Sequence, residues 1–427
     1  MQSIGIDFGT TNTVLAICGA DGAVQVQRFR HGNEDLEAFR TALAFRRNPA
    51  SVAEPACEAG PWAIDSFLDA PEDTRFLQSF KSFAASAAFS DTAIFSHRYR
   101  FEDLLAAFID RVRFHCGLKT FPQRLVVGRP VTFAGHNTDE ALARRRYDAA
   151  FGMLGFRDID YVLEPVAAAQ FYAQRLTRPS TILVGDFGGG TSDFSIMRFA
   201  PAATGIAAQA LGHAGVGIAG DSFDYRIIDA IVSPRLGKNA TYQSWGKTLT
   251  IPVHYFTNFS RWNELCLMNR PDVIRDLAKY AQTKTSANQL QSFIDLIEGG
   301  VSYELYRAVS RVKAQLSEKE EARFAFSSSG VDIDTAIKRH EFETWIAGDL
   351  ARIEACVDDV LRKTGLAAGG IDRVFLTGGC SNVPAVRRLF VERFGQDRIE
   401  TGEQLLSIAK GLALISQRSD VGQWATA

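Results

Sequence analysis

The strongest constraint on this chain is a short design that it uses twice, once at its start and once near its middle. Ile4 to Phe8 is an apolar run ending at Asp7-Phe8, Gly9-Thr10-Thr11-Asn12 turns the chain, and Val14 to Cys18 resumes as a strand. Thr181 to Val184 leads likewise into Gly185-Asp186-Phe187-Gly188-Gly189-Gly190-Thr191, after which Asp193 to Phe199 alternates as a strand does. The shared core is Asp-Phe-Gly followed by Thr. Two copies so far apart predict two related halves, each opening its main sheet with an acidic, glycine-bearing hairpin.

Such a hairpin has definite chemistry. An aspartate where a strand meets the turn can face the water shell of Mg²⁺, while backbone N–H groups and the Thr10 and Thr11 hydroxyls face phosphate oxygens. Mg²⁺ keeps several waters and needs only one or two carboxylates besides substrate phosphates, so Asp7 and Asp186 suit a nucleotide site. Either loop alone reads equally well as an ordinary hairpin; the pair, in one orientation relative to their strands, favours the nucleotide. A third loop, Val374 to Pro384, places Gly378-Gly379 at the C-terminal end of an apolar strand. Ligands of open α/β sheets bind at that crevice, and glycine lets a flat adenosine ring approach the backbone.

With 427 residues the chain has room for two to four folding units. Its 47 Lys and Arg against 49 Asp and Glu provide no global field for nucleic acid or anionic lipid, so neither partner is expected. No apolar run approaches the roughly 20 residues needed to span a bilayer. Asp7 interrupts the apolar N-terminus, which does not read as a signal peptide. The six cysteines are scattered without a Cys-x-x-Cys pair, which suggests a reducing, cytoplasmic setting.

Between the two hairpins, strand Arg124 to Val127, a polar helix from about Asp139 to Leu154, strand Ile159 to Leu163 and an alanine-rich helix from Glu164 alternate as in an α/β domain. Helices are predicted near 223–232, 302–317 and 341–363, then strand Val374 to Thr377 and two closing helices. The segment 233–302, with Trp245 and Trp262, is less regular and reads as an insertion. Arg144-Arg145-Arg146 reads as a solvated helix face.

Taken together, IDFGTTNT from Ile4, DFGGGTSDFS from Asp186 and VFLTGGCSNVP from Val374 resemble the ATPase domain of the seventy-kilodalton heat-shock chaperones. This is the DnaK type within the actin, hexokinase and chaperone superfamily, and the length is most similar to its short, YegD-like members. The resemblance runs from Ser3 to about Ser416 and is poor over 233–302. It implies an α/β, actin-like ATPase fold: two related lobes, each a ribonuclease-H-like mixed sheet with helices, flanking a nucleotide cleft. Lobe I would be 1–178, with an inserted subdomain at about 30–110 carrying Lys81; lobe II would be 179–427, with an insertion at about 221–317.

The resemblance also implies roles and cofactors, ATP or ADP with Mg²⁺. Asp7 and Asp186 would hold the metal through water, and Gly9, Thr10, Thr11, Asn12, Gly188, Gly189, Gly190 and Thr191 would surround the phosphates. Lys81 is similar to the family's catalytic lysine, and Glu164 to the glutamate that orients the attacking water; with Asp186 and Thr191 they form the expected catalytic set. Gly220 and Asp221 match the ribose-side loop, Lys313 and Ser317 the adenine-side helix, and Gly378, Gly379 and Cys380 the last nucleotide loop. The family's glutamate and arginine on the adenine helix stand here as Ser310 and Ala314, and its later arginine as Asn382, so a polar clamp and a stacking guanidinium are missing.

Chaperones of this type continue with a peptide-binding module, and the chain is expected to lack one because it stops at Ala427. The expected function is a slow, Mg-dependent ATPase acting as a monomeric nucleotide-dependent switch that a protein partner or client reads. Two alternatives stay open: a small-molecule kinase of the same superfamily, which would need an aspartate base, and a nucleotide-dependent assembly protein.

Overall fold

A computed structural model describes residues 2–47, 55–134, 137–202, 205–261, 268, 270–282, 287–298, 302–401, 406–418 and 421–424. Every residue of strand Ser3–Phe8 is buried, as a strand with neighbours on both sides and cover on both faces requires. It pairs antiparallel with Asn12–Cys18, Ser3 opposite Cys18 and Phe8 opposite Thr13. On its other side it runs parallel to Arg124–Arg129, which runs parallel to Asp158–Leu163. Val24–Val26 completes the far edge, antiparallel to Asn12–Cys18.

The second hairpin repeats this plan. Ser180–Phe187 pairs antiparallel with Ser192–Ala202 and parallel with Arg373–Thr377. Ser192–Ala202 continues antiparallel to Gly205–Val216, and Arg373–Thr377 parallel to Ile399–Thr401. Strand order and pairing along these five strands are therefore the same in both mixed sheets: on one side of the aspartate-bearing strand two successive antiparallel pairings, on the other two successive parallel ones.

The chain divides into two compact units, Met1–Gly220 with Arg352–Asn382 and Val386–Ala427, and Asp221–Ala351 with Val383–Ala385. Both mixed sheets lie in the first. Within it, helix Ser407–Ile415 comes so close to its neighbours that side chains would not fit. A Cβ on Gly5 would lie 2.5 Å from the Ala413 nitrogen, and one on Gly411 would lie 1.8 Å from the Ala167 carbonyl oxygen. Ala167 belongs to helix Glu164–Ala173, whose alanines 167, 168, 169 and 173 are all buried. Small residues on both helices allow this approach.

Residues 39–115 add a three-stranded antiparallel sheet in which Ala42–Arg46 lies between Ala56–Ala59 and Thr74–Gln78. Helices Gly60–Asp69 and Phe101–His115 accompany it. An aromatic core links this part to the first hairpin, with the Phe8 ring centroid 5.6 Å from Phe80 and 5.9 Å from Phe108.

The second unit is more regular than its sequence suggests. Hairpin Thr241–Ser244 with Lys247–Thr250 is followed by helices His254–Ser260, Pro271–Ala281 and Ala287–Glu298. In the last of these Leu290, Phe293, Ile294 and Ile297 are buried at helical spacing, a short stripe that surrounding polar residues hide from a reading by composition. Trp245 stands exposed at the hairpin turn, and Trp262 lies outside the described residues. Helix Ser302–Glu318 precedes the hairpin Glu321–Ser328 with Val331–Lys338, whose alternating burial marks a sheet with one covered face. No helix among the described residues is long and apolar enough to cross a membrane.

Candidate functional site

Both hairpin turns close with the same backbone bond. Gly9 N–H donates to the Asn12 carbonyl at 3.1 Å, and Gly188 N–H to the Thr191 carbonyl at 3.0 Å. A Cβ on Gly9 would lie 2.2 Å from the Asn12 oxygen, so this turn demands glycine. Thr41 anchors the first turn from outside: its hydroxyl donates to the Gly9 carbonyl at 2.8 Å, and its N–H donates to the Thr11 carbonyl at 2.9 Å. The turns converge, since a Cβ on Gly190 would lie 3.4 Å from the Thr10 hydroxyl oxygen.

Lys81 sits in the 3₁₀ turn Phe80–Phe83, directly after strand Thr74–Gln78. It is buried, and its ammonium donates to Glu164 Oε1 at 2.7 Å with both side chains only 7% exposed. Glu164 opens helix Glu164–Ala173 straight after strand Asp158–Leu163, so the strand end fixes its carboxylate. The Lys81 Nζ also lies 5.9 Å from the Phe8 ring centroid. Main-chain segments far apart in sequence thus meet around one buried ion pair.

Carboxylates outnumber that lysine. Burial, reinforced by Glu164 and only partly offset by Lys81, holds the Asp7 carboxyl up at about 8. Asp186 is held well above the carboxylate range by burial, then by Glu164, Asp7 and Asp193. Burial draws the Lys81 ammonium down, but Glu164, Tyr147 and Asp7 outweigh it and hold its proton more firmly than in water. A fourth acid, Asp193, escaped the sequence reading. It lies directly opposite Asp186 in the hairpin register, where like charges repel, and burial followed by Glu164 raises it to about 7. Its Oδ1 accepts from Val131 N–H at 2.9 Å and Thr132 N–H at 3.1 Å. Its buried Oδ2 has no hydrogen-bond partner among the described residues. The available signal was positional: a hairpin closed over Gly188 to Thr191 must put Asp186 and Asp193 face to face.

The residues present fit a divalent cation with phosphates. Crowded carboxylates with raised pKa values and an orphaned buried oxygen form a site short of positive charge, and all the donors are the hard oxygens that Mg²⁺ takes. Among the described residues no three His, Cys, Asp or Glu side chains converge to ligate an ion directly.

The crowding predicts a pH effect. A carboxyl that keeps its proton to about 8 in the fold, against about 4 when unfolded, makes the native state bind more protons in between. Stability therefore falls as pH rises from about 4 to about 8. For metal-free protein in chelator, the melting temperature should drop between pH 5 and 8, and Asp7→Asn should recover ~3–6 °C at pH 8. Parallel melting curves for variant and wild type at every pH would contradict the raised Asp7 pKa.

The remaining expected residues divide between the two units. Gly220 N–H donates to the Gly188 carbonyl at 3.3 Å. Gly378, at a φ of +81°, is pressed against the second hairpin, where an added Cβ would lie 2.1 Å from the Phe187 oxygen. Gly379 has open space around it, and Cys380 is buried. Asp221, Lys313 and Ser317 belong to the second unit. There Lys313 pairs with the buried Asp224 at 2.7 Å, and the Ser317 hydroxyl donates to the Lys313 carbonyl at 3.2 Å.

One sequence expectation is overturned. Arg146 is not on a solvated face: it is 8% exposed and donates to main-chain carbonyls of residues 83–89. On helix Glu140–Met153 it shares the buried stripe of Ala143, Tyr147, Ala150 and Phe151, a spacing that contained the warning. Arg145 alone of the three arginines is exposed.

Comparison with known proteins points to one family. Residues 284–419 match the family model described as Hsp70 protein. Across 99% of its length the chain is 24% identical to the chaperone protein HscA homolog of Aromatoleum aromaticum, covering 60% of that protein. It is 23% identical over 92% of its length to the chaperone protein DnaK of Mycoplasmopsis synoviae, covering 54% of it. The DnaK of Deinococcus proteolyticus is 22% identical over 97% of the chain, with 58% of the relative covered. The chain thus spans little more than half the length of these relatives.

Proposed function

We propose, from the premise that this chain carries an Hsp70-type ATPase domain of the actin-like superfamily, that it binds Mg²⁺ with ATP and hydrolyses it slowly. The observation that carries this reading is the buried Lys81–Glu164 pair beside two converging aspartate-bearing turns. Asp7 and Asp186 would hold Mg²⁺ through its water shell, and the cation would neutralise charge on the phosphates. Backbone N–H groups of Thr10 to Asn12 and Gly189 to Thr191, with the Thr10 and Thr11 hydroxyls, would cradle the phosphate oxygens. Lys81 holds its proton against the terminal phosphate, where charge builds in the transition state, and Glu164 orients both Lys81 and the attacking water. Positioning and charge compensation supply most of phosphoryl-transfer catalysis, which suits a site made of fixed charges and turns.

The two-lobe division at residue 178 and the ribose and adenine roles of Gly220, Asp221, Lys313, Ser317 and Gly378 to Cys380 belong to the same proposal. So do a protein partner or client that reads the nucleotide state, a monomeric chain and a cytoplasmic setting. One observation keeps a second reading alive. Asp193, with a free oxygen and a pKa of about 7, could take a proton from an acceptor hydroxyl, as a small-molecule kinase requires.

Phosphate release from Mg²⁺–ATP in a single turnover without added acceptor tests the choice: release supports hydrolysis, and tight binding without release supports the kinase. Asp186→Ala should weaken Mg²⁺–ATP binding by about 10–100-fold in calorimetry, the loss expected from a charged group with no substitute. An unchanged dissociation constant would remove Asp186 from the metal site.

A further inference from the structure

The turn that carries Lys81 is closed locally by the Ser82 N–H and hydroxyl, both donating to the Ser79 carbonyl, and by the Ala84 N–H donating to the Lys81 carbonyl. Ser79, two residues before the lysine, adopts a left-handed φ of 53°, a conformation that a residue other than glycine holds only under external constraint. Downstream, the carbonyls of Phe83 to Phe89 do not belong to any sheet or α-helix. The Phe83 and Ser86 carbonyls each accept one local N–H, from Ser86 at 3.1 Å and from Phe89 at 3.2 Å, whereas those of Ala84 and Phe89 take their donor from a distant helix.

Arg146 is that donor, and it reinforces the two local bonds as well. Its Nη1 lies 2.8 Å from the Phe83 oxygen, 2.9 Å from that of Ala84 and 3.2 Å from that of Ser86, and its Nη2 donates to the Phe89 carbonyl. The guanidinium also lies 5.9 Å from the Phe101 ring centroid and 6.0 Å from that of Phe89. At the start of the same helix, Asp139 N–H donates to the Ala85 carbonyl at 2.9 Å. The next residue, Tyr147, packs its ring edge-on to Phe8, 6.1 Å between centroids, and Phe8 underlies Lys81. A planar fork of five donors can serve several carbonyls at once, whereas a lysine offers one nitrogen.

We propose that Arg146 is the positioning residue of Lys81: by holding the carbonyls of residues 83, 84, 86 and 89 it fixes the turn that presents the ammonium to Glu164 and the phosphate site. The proposal rests on the hydrolytic reading above for its consequence and on geometry alone for the constraint. A displacement of about 1 Å at a reacting group costs on the order of 10²-fold in rate, so loosening this turn acts on turnover more than on binding.

Arg146→Lys and Arg146→Gln are compared with wild type in the full-length chain by two measurements. The first is the acylation rate of Lys81 by acetic anhydride, followed by mass spectrometry, which needs no activity. Release of the turn should raise it about 5-fold or more; wild-type rates in both folded variants would overturn the constraint. The second is single-turnover phosphate release at saturating Mg²⁺–ATP. A fall of about 10–100-fold is expected, with the dissociation constant kept within about 3-fold and little further loss when Arg146→Lys is added to Lys81→Ala. A loss that multiplies with that of Lys81→Ala, or one matched by equal loss of binding, would mean that Arg146 acts on overall structure and overturn the proposal. If wild type shows no release that depends on Lys81, the hydrolytic reading fails, and the acylation rates still decide whether Arg146 holds the turn.

Discussion

Lys81→Ala is expected to cut single-turnover phosphate release from Mg²⁺–ATP by about 10²–10³-fold while nucleotide affinity stays within about threefold. The estimate is that for removing one preorganised charge aimed at the transition state. Its basis is the site's charge balance: Lys81 is the cation bound to Glu164, and it offsets part of the burial and repulsion that raise Asp7, Asp186 and Asp193. The substitution leaves Glu164 buried without that partner, which is destabilising in its own right. Lys81→Ala with Glu164→Gln therefore serves as a control that removes the stranded charge. If the double variant melts like wild type and still fails to release phosphate, the loss belongs to the chemistry of the Lys81–Glu164 pair and not to stability. Equal release by wild type and Lys81→Ala would remove the lysine from the mechanism.

Gly411→Val is expected to leave no folded protein at ordinary temperature, a loss greater than about 4 kcal/mol. The position already excludes one methyl group, because a Cβ would lie 1.8 Å from the Ala167 carbonyl oxygen. Neither partner can yield readily. Ala167 lies in the helix that Glu164 opens, and helix Ser407–Ile415 is also seated on Gly5 in the strand leading to Asp7. Gly348 provides the contrast: it is exposed within helix Arg339–Thr364 with nothing within 4 Å of an added Cβ. Gly348→Ala should stabilise the protein by about 1 kcal/mol through helix propensity. Circular dichroism and soluble yield of the two variants distinguish a packing demand at Gly411 from a general intolerance of glycine replacement, and a folded Gly411→Val would refute the close approach.

Much of the architecture was legible in the chain because it is written locally. A hairpin's register follows from its turn, and the apolar runs at 4–8 and 181–184 with their glycine turns specify strands whose partners are only a few residues away. The regularity of 233–302 was hidden because Leu290, Phe293, Ile294 and Ile297 make a stripe too brief to stand out among polar neighbours. Arg146 misled for a related reason. Three consecutive arginines look solvated, yet on a helix the third falls beside Tyr147 on the covered side, and its acceptors lie 57 to 63 positions away.

The amino-acid order alone was enough for two acidic glycine hairpins, for alternating strands and helices between them, and for a resemblance resting on three loops. The rest required the folded chain: that Lys81 meets Glu164 across 83 positions, that Asp193 is left with an orphaned oxygen, that Arg146 holds the lysine's turn, and that Gly411 touches Ala167. The physical reason is one of range. Backbone pairing and turn geometry depend on neighbours in sequence, whereas burial, electrostatic crowding and close packing depend on which distant segments arrive at the same place.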